Sequence, residues 1–245
     1  MRKTKIICTI GPAVESEEKI RELILAGMDG ARFNFSHGSH EEHKKRIDLV
    51  KKVSKEMNAP VALILDTKGP EIRVGEFPEK SVILADGQSF TLYCDYSVPG
   101  DINGVGISYP YLGEDVSKGD KILIDDGLVS LIVTEVKNGD IITRVENSGK
   151  VSSRKSINVP GIDVDQPFIS DRDRSDILFG IEEDVDFIAA SFVRNQDDVK
   201  KLRKLLNVNG GKKIKIIAKI ENGSGIENLD SILDYADGVM IARGD

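Results

Sequence analysis

The strongest constraint on the fold is a rhythm: short apolar runs alternate with stretches of helical spacing, and the runs end in polar groups. The runs occupy 4–10, 29–34, 61–66, 186–191, 214–220 and 238–242, and five of the six end in a polar residue or run directly into one. In the run KKIKIIAKIENGSG at 212–225, Lys215, Ile217, Lys219 and Glu221 share one side, because successive strand residues point to opposite faces. A cation and a carboxylate at the end of an apolar run are costly to bury unless they are paired or metal-bound. At the second run Arg32, Asn34 and Ser36 alternate on one face, with Phe33 and Phe35 on the other. The third run ends in Asp66-Thr67-Lys68. Strands that end in chemistry and lead into helices are the unit of a parallel α/β fold with its site at the carboxyl face.

The helices announce themselves by their caps. Ser16 precedes Glu17 and Glu18 and a face of Ile20, Leu23 and Ile24, with Gly27 as its stop. Ser39 with Glu42, Ser170 with Asp173, and Ser224 with Glu227 have the spacing of capping boxes. The last of these predicts a helix with Ile226, Leu229, Ile232 and Leu233 on one face. A further helix begins near Asn195, with Val199, Leu202, Leu205 and Leu206 inward. His40 and His43, spaced i, i+3 on a charged helix, read as a solvated face rather than a zinc site.

From Glu71 to about Asn158 the helical period disappears. Short β-rich runs such as 121–124, 128–136 and 140–145 are separated by the turn dipeptides Asp86-Gly87, Asn103-Gly104, Asp126-Gly127 and Asn138-Gly139. This spacing predicts a small all-β barrel inserted into the α/β pattern. The expected organisation is therefore barrel residues 1–69, an inserted domain at 70–157, and further barrel residues at 158–245. An eight-strand barrel needs roughly 250 residues, so the α/β part stops two strands short. A doubly wound sheet is the alternative, but its GxGxxG fingerprint is absent.

A net charge of −7 gives no electrostatic reason to expect nucleic acid. Cys8 and Cys94, with no metal-type spacing, suggest reduced thiols in a cytoplasm. No apolar segment is long enough for a signal peptide or a membrane span.

Seven runs together resemble the pyruvate kinase family: TKIICTIGP at 4–12, GMDGARFNFSHG at 27–38, LDTKGPEIRVG at 65–75, IDDGLVSLIV at 124–133, AASFVR at 189–194, AKIEN at 218–222 and ARGD at 242–245. The resemblance implies a (β/α)8 TIM-type barrel with an all-β domain inserted after strand 3 and a C-terminal α/β domain. The last two barrel strands and that C-terminal domain have no counterpart in these residues. It implies phosphoryl transfer from phosphoenolpyruvate to ADP, giving pyruvate and ATP, with Mg²⁺ (or Mn²⁺) and K⁺, in a cytoplasmic homo-oligomer of tetrameric type. Carried over by motif, Lys219 neutralises the phosphoryl group in flight and Arg32 binds it. Gly244 and Asp245 belong to the substrate site, and Glu221 and Asp245 hold the divalent ion. Asn34, Ser36, Asp66 and Thr67 form the K⁺ site, and Asn34, His37, Arg73 and Lys155 lie at the nucleotide. A metal-dependent lyase or aldolase on a related barrel, or a non-catalytic fragment, are the competing readings. The 245-residue polypeptide by itself is expected to lack turnover.

Overall fold

The structure, a computed structural model, describes residues 3–125, 127–162 and 164–242. It divides into two compact units, one of residues up to Pro70 together with those from Pro167, the other Glu71–Gln166.

The first unit begins with β1 (Ile7–Thr9), α1 (Glu17–Ala26), β2 (Gly30–Asn34), α2 (His40–Glu56) and β3 (Ala62–Asp66). The second unit follows as β4 (Ile72–Arg73), β5 (Ser81–Leu84), β6 (Ser89–Tyr93), β7 (Gly104–Gly106), the one-turn helix α3 (Leu112–Asp115), β8 (Lys121–Ile124), β9 (Val129–Lys137), β10 (Asp140–Val145), β11 (Gly149–Ser152) and β12 (Ser156–Asn158). The chain then returns to the first unit with α4 (Asp171–Glu182), β13 (Phe187–Ala190), α5 (Gln196–Val208), β14 (Lys215–Ile220), the short helices α6 (Gly223–Glu227) and α7 (Leu229–Leu233), and β15 (Gly238–Ile241).

All neighbours in the six-stranded sheet are parallel, and their order β1-β2-β3-β13-β14-β15 is the order of the chain. A doubly wound sheet needs a point where that order reverses, and there is none among the described strands. The sheet is an incomplete TIM-type barrel. Its outward residues Ala31, Phe33, Leu63, Leu65, Ile188, Ile216 and Ala218 form one core with the inward faces of the helices. The helices start where local chemistry satisfies their first N–H groups. Ser16 Oγ accepts from Lys19 N, and Ser39 and Ser170 form complete capping boxes with Glu42 and Asp173. Asn195 caps α5 by accepting from the N–H groups of Asp197 and Asp198. Fully burying Ile47, Val50 and Val53 on α2 contributes about 1.5–3 kcal/mol each.

Three expectations are corrected here. The cap at 222–225 is Asn222, whose side chain accepts from Gly225 N, not Ser224; α6 and α7 meet at Asn228 instead of forming one helix. Consequently Ile226 is 66% exposed and only Ile232 of the expected face is fully buried. His43 is not solvated: it is 2% exposed, stacks on Phe35 with centroids 3.9 Å apart, and pairs through Nε2 with the His37 carbonyl. His40 binds Asp176.

In the second unit a seven-stranded sheet runs β4-β12-β8-β9-β10-β6-β7, antiparallel except at β6–β7, beside a two-stranded β5–β11 pair. The β9–β10 hairpin turns at Asn138 and Gly139, whose φ values of 54° and 90° are those a two-residue hairpin of type I′ requires. Helix α3 is a turn the β-rich reading did not anticipate. The unit extends past the expected end at 157, since Ile162 and Val164 pack against its core and Tyr109 Oη donates to the Asp165 carbonyl at 3.1 Å.

Candidate active site

Strand alternation sorts the sheet's side chains into two sets. With Phe33, Leu65 and Ala218 turned to the helices, Arg32, Asn34, Asp66, Lys219 and Glu221 fall on the opposite face. Parallel register then brings them level, with Asn34 opposite Asp66 and Arg32 opposite Ile64. Lys219 arrives on β14, two strands away, with β13 between. Since Ala189, the alanine of β13 that alternation turns to this face, is small, a long side chain can cross above it.

The centre of the cluster is Asp66, 1% exposed. Its Oδ2 accepts from Arg32 Nε at 2.5 Å and its Oδ1 from Lys219 Nζ at 3.1 Å. Arg32 also donates through Nη1 to Thr9 Oγ1 at 2.9 Å, from the end of β1. The Lys219 ammonium donates to Asp66 Oδ1 and to Ser191 Oγ at 2.7 Å, and is ion-paired with Glu221 Oε1 at 2.9 Å. Glu221 Oε2 in turn accepts from Phe192 N at 2.8 Å. Lys219 and Glu221 are each 8% exposed. Removing an ion from water costs several kcal/mol even after relaxation, and here every charge is answered by an opposite one.

Thr67 is 5% exposed and ties β3 to the neighbouring strand: its N–H donates to the Ala189 carbonyl, and its Oγ1 accepts from Ser191 N. Asn34 Oδ1 accepts from Ser36 N at 3.0 Å, closing the turn beyond β2. The sequence-predicted residues Arg32, Asn34, Ser36, Asp66, Thr67, Lys219 and Glu221 therefore gather at neighbouring strand ends. His37 is exposed on the loop before α2. Arg73 and Lys155 belong to the second unit. There Arg73 pairs with Glu71 and donates to the Arg154 carbonyl, and Lys155 binds Asp125 at 2.9 Å. Arg243, Gly244 and Asp245 lie outside the described residues.

The sequence reading missed Thr9, Ser191 and the Phe192 N–H. Ser191 closes a run that was recognised as a strand, and a hydroxyl immediately past a barrel strand was the available signal.

The donors that gather here are of one chemical kind. Carboxylate, amide and hydroxyl oxygens suit hard cations, and neither His nor Cys is among them. Among the described residues no group of three or more His, Cys, Asp or Glu side chains converges on one point, and no helix is long and apolar enough to cross a membrane.

The pyruvate kinase barrel domain family matches residues 1–245. The chain is 49% identical over 245 residues to a pyruvate kinase of Clostridium acetobutylicum, covering 100% of this chain and 52% of that protein. It is 51% identical over 247 residues to one from Sporosarcina psychrophila, and 50% identical over 246 to one from Geobacillus stearothermophilus, each match covering 100% of this chain and 42% of the relative. The chain thus spans about half the length of the curated relatives it matches. With a complete family match and half its residues shared with named relatives, the chain belongs to the pyruvate kinase barrel domain family.

Proposed function

We propose that the protein containing this chain transfers a phosphoryl group between phosphoenolpyruvate and ADP, giving pyruvate and ATP, as the names of its relatives suggest. The observation that carries the reading is the buried assembly of Arg32, Lys219, Asp66 and Glu221 at adjoining strand ends, cations and carboxylates set against one another. Phosphoryl transfer asks for positioning and charge neutralisation rather than a nucleophilic side chain. As the bond from phosphorus to the enol oxygen breaks, one forms to the terminal oxygen of the diphosphate, and the enolate takes a proton.

Arg32, anchored by Asp66 and Thr9, would hold the phosphoryl group, and Lys219 would follow it between the two oxygens. The four ionic side chains sum to zero formal charge, so an incoming phosphoryl group adds negative charge that the cluster alone does not offset. Glu221 with Asp245 would hold a divalent ion, Mg²⁺ or Mn²⁺, and Asn34, Ser36, Asp66 and Thr67 a K⁺ ion. When bound, these ions supply the missing positive charge and a Lewis-acid contact. The oxygen-only donor set fits both. Asn34, His37, Arg73 and Lys155 would meet the nucleotide. A cytoplasmic, homo-oligomeric assembly of tetrameric type accords with this reading.

The test is a coupled assay for pyruvate with the full-length protein, phosphoenolpyruvate, ADP, Mg²⁺ and K⁺. Turnover is expected. Lys219→Met should lower kcat by on the order of 10²–10³-fold, with a much smaller change in KM for phosphoenolpyruvate, because the contact strengthens in the transition state. A variant that only raises KM would make Lys219 a ground-state binder. A full-length protein inert toward this pair of substrates would end the proposal.

A further inference from the structure

Ser191 has no role in the reading above, yet it is 2% exposed and touches the one lysine on which that reading depends. Its hydroxyl lies 2.7 Å from Lys219 Nζ, 2.7 Å from the Thr67 carbonyl oxygen and 3.4 Å from Asp66 Oδ1. A hydroxyl has one proton and two lone pairs. The carbonyl can only accept, and the ammonium can only donate. The Ser191 proton therefore goes to an acceptor, the Thr67 carbonyl at 2.7 Å being nearer than the Asp66 carboxylate at 3.4 Å, and in either case a lone pair is left facing Lys219. The polarity of this contact is set by the connectivity of the chain.

Among the described residues Ser191 is also the one neutral side-chain partner of the ammonium. The other two, Asp66 and Glu221, are the carboxylates that the cation sites would draw on. The hydroxyl is the contact whose direction need not change as those charges are engaged.

The turn that carries it is held by restraints that do not involve Lys219. Ser191 N donates to Thr67 Oγ1 at 3.1 Å. Phe192 sits at φ 57°, in the left-handed region unusual for a bulky side chain, with its N–H on Glu221 Oε2. Gly69, at φ 73°, faces this turn, and a Cβ there would lie 2.8 Å from both Ser191 Cβ and Phe192 Cδ2. A bulky residue kept in a sparsely populated conformation beside a functional group indicates a turn fixed by its surroundings.

We infer that Ser191 is a positioning residue for Lys219, its hydroxyl directing the ammonium toward the phosphoryl path. The inference rests on the proposed phosphoryl transfer. Its test uses the full-length enzyme and compares the unsubstituted protein, Ser191→Ala, Lys219→Met and the double variant. Losing a hydrogen bond to a charged group should lower kcat of Ser191→Ala by about tenfold to a hundredfold, with KM for phosphoenolpyruvate within about threefold. In the Lys219→Met background the same change should cost less than about threefold, because its target is gone. Ser191→Thr, which restores the hydroxyl, should recover part of the rate. If Ser191→Ala does not fold, Ser191→Cys replaces it, being near-isosteric and a poor acceptor. An equal loss in both backgrounds, or an unchanged kcat, overturns the inference while leaving the functional reading intact. Absence of turnover by the unsubstituted enzyme overturns both.

Discussion

Lys219 donates to Asp66 and Ser191 and is ion-paired with Glu221, so a phosphoryl oxygen that approaches the ammonium competes with charges already in place. Glu221 is the partner whose release fits the proposed divalent site. Glu221→Gln keeps an oxygen for Phe192 N–H but removes the charge. Turnover of the full-length enzyme should fall on the order of a hundredfold, and raising Mg²⁺ should recover part of it; near-normal rates at ordinary Mg²⁺ would remove Glu221 from the metal site. A second residue makes a prediction about pH. Burial, helped by Arg46, holds the His43 pKa below its ordinary value, against the pull of the His37 carbonyl, Asp176 and Glu42. The folded state keeps this ring neutral while the unfolded chain protonates near pH 6.5. As pH falls below that value the unfolded state binds a proton that the folded state does not, so stability is lost. The urea midpoint of the first unit should drop more between about pH 7.5 and 5.5 in the unsubstituted protein than in His43→Gln. Equal drops would show that His43 does not titrate differently in the two states. The shared faces of Arg32 with Asn34 and of Lys219 with Glu221 could be placed from strand alternation, because side-chain direction on a strand is a local property; the Arg32–Asp66 pair needed the β2–β3 register. The burial of His43 was not legible, since it depends on Phe35 and on the loop at His37, which meet α2 only in three dimensions.

Among the elements, those that the sequence marks with a cap formed where expected. Helices α1, α2, α4 and α5 each begin beside Ser16, Ser39, Ser170 or Asn195, and the six parallel strands lie within the predicted runs. The failure at 222–233 has the same physical origin. Asn222 and Ser224 both offer a capping oxygen, and Asn222 reaches Gly225 N at 2.7 Å, so the helix starts two residues earlier and breaks at Asn228. Nearest-neighbour spacing cannot rank two competing caps. Ser39→Ala and Asn222→Ala should therefore each cost about 1 kcal/mol of stability. Differential denaturation of the two variants checks this; a neutral Asn222→Ala would return the cap to another residue. The strand β1 is shorter than its apolar run, in which Ile6 and Ile7 are 41% and 47% exposed.

On the largest scale the described residues form two hydrophobic cores, and each unit keeps its own. The second contains Leu84, Phe90, Leu92, Ile107, Ile122 and Ile124, all fully buried within residues 71–166. The β-rich texture announced this unit, but its boundary was set too early, at 157, because residues 158–166 have no strand pattern to mark them. What binds them is tertiary. Val159 is 7% exposed in the core, Ile162 and Val164 pack against it, and the Tyr109 hydroxyl reaches the Asp165 carbonyl. Burial and the nearby Asp115 push the Tyr109 pKa up to about 12, so this phenol keeps its donor proton through ordinary alkaline conditions. The segment 71–166 produced by itself should fold as a cooperative unit. Its shortened form 71–157 should be less stable by about 2–4 kcal/mol, the burial of one valine and parts of two further side chains. For a domain of this size that loss lowers Tm by roughly 10 °C or more. Thermal unfolding of the two segments, followed by circular dichroism, decides the matter: equal Tm values would mean that 158–166 contributes nothing to the unit and that its core closes at Ile157.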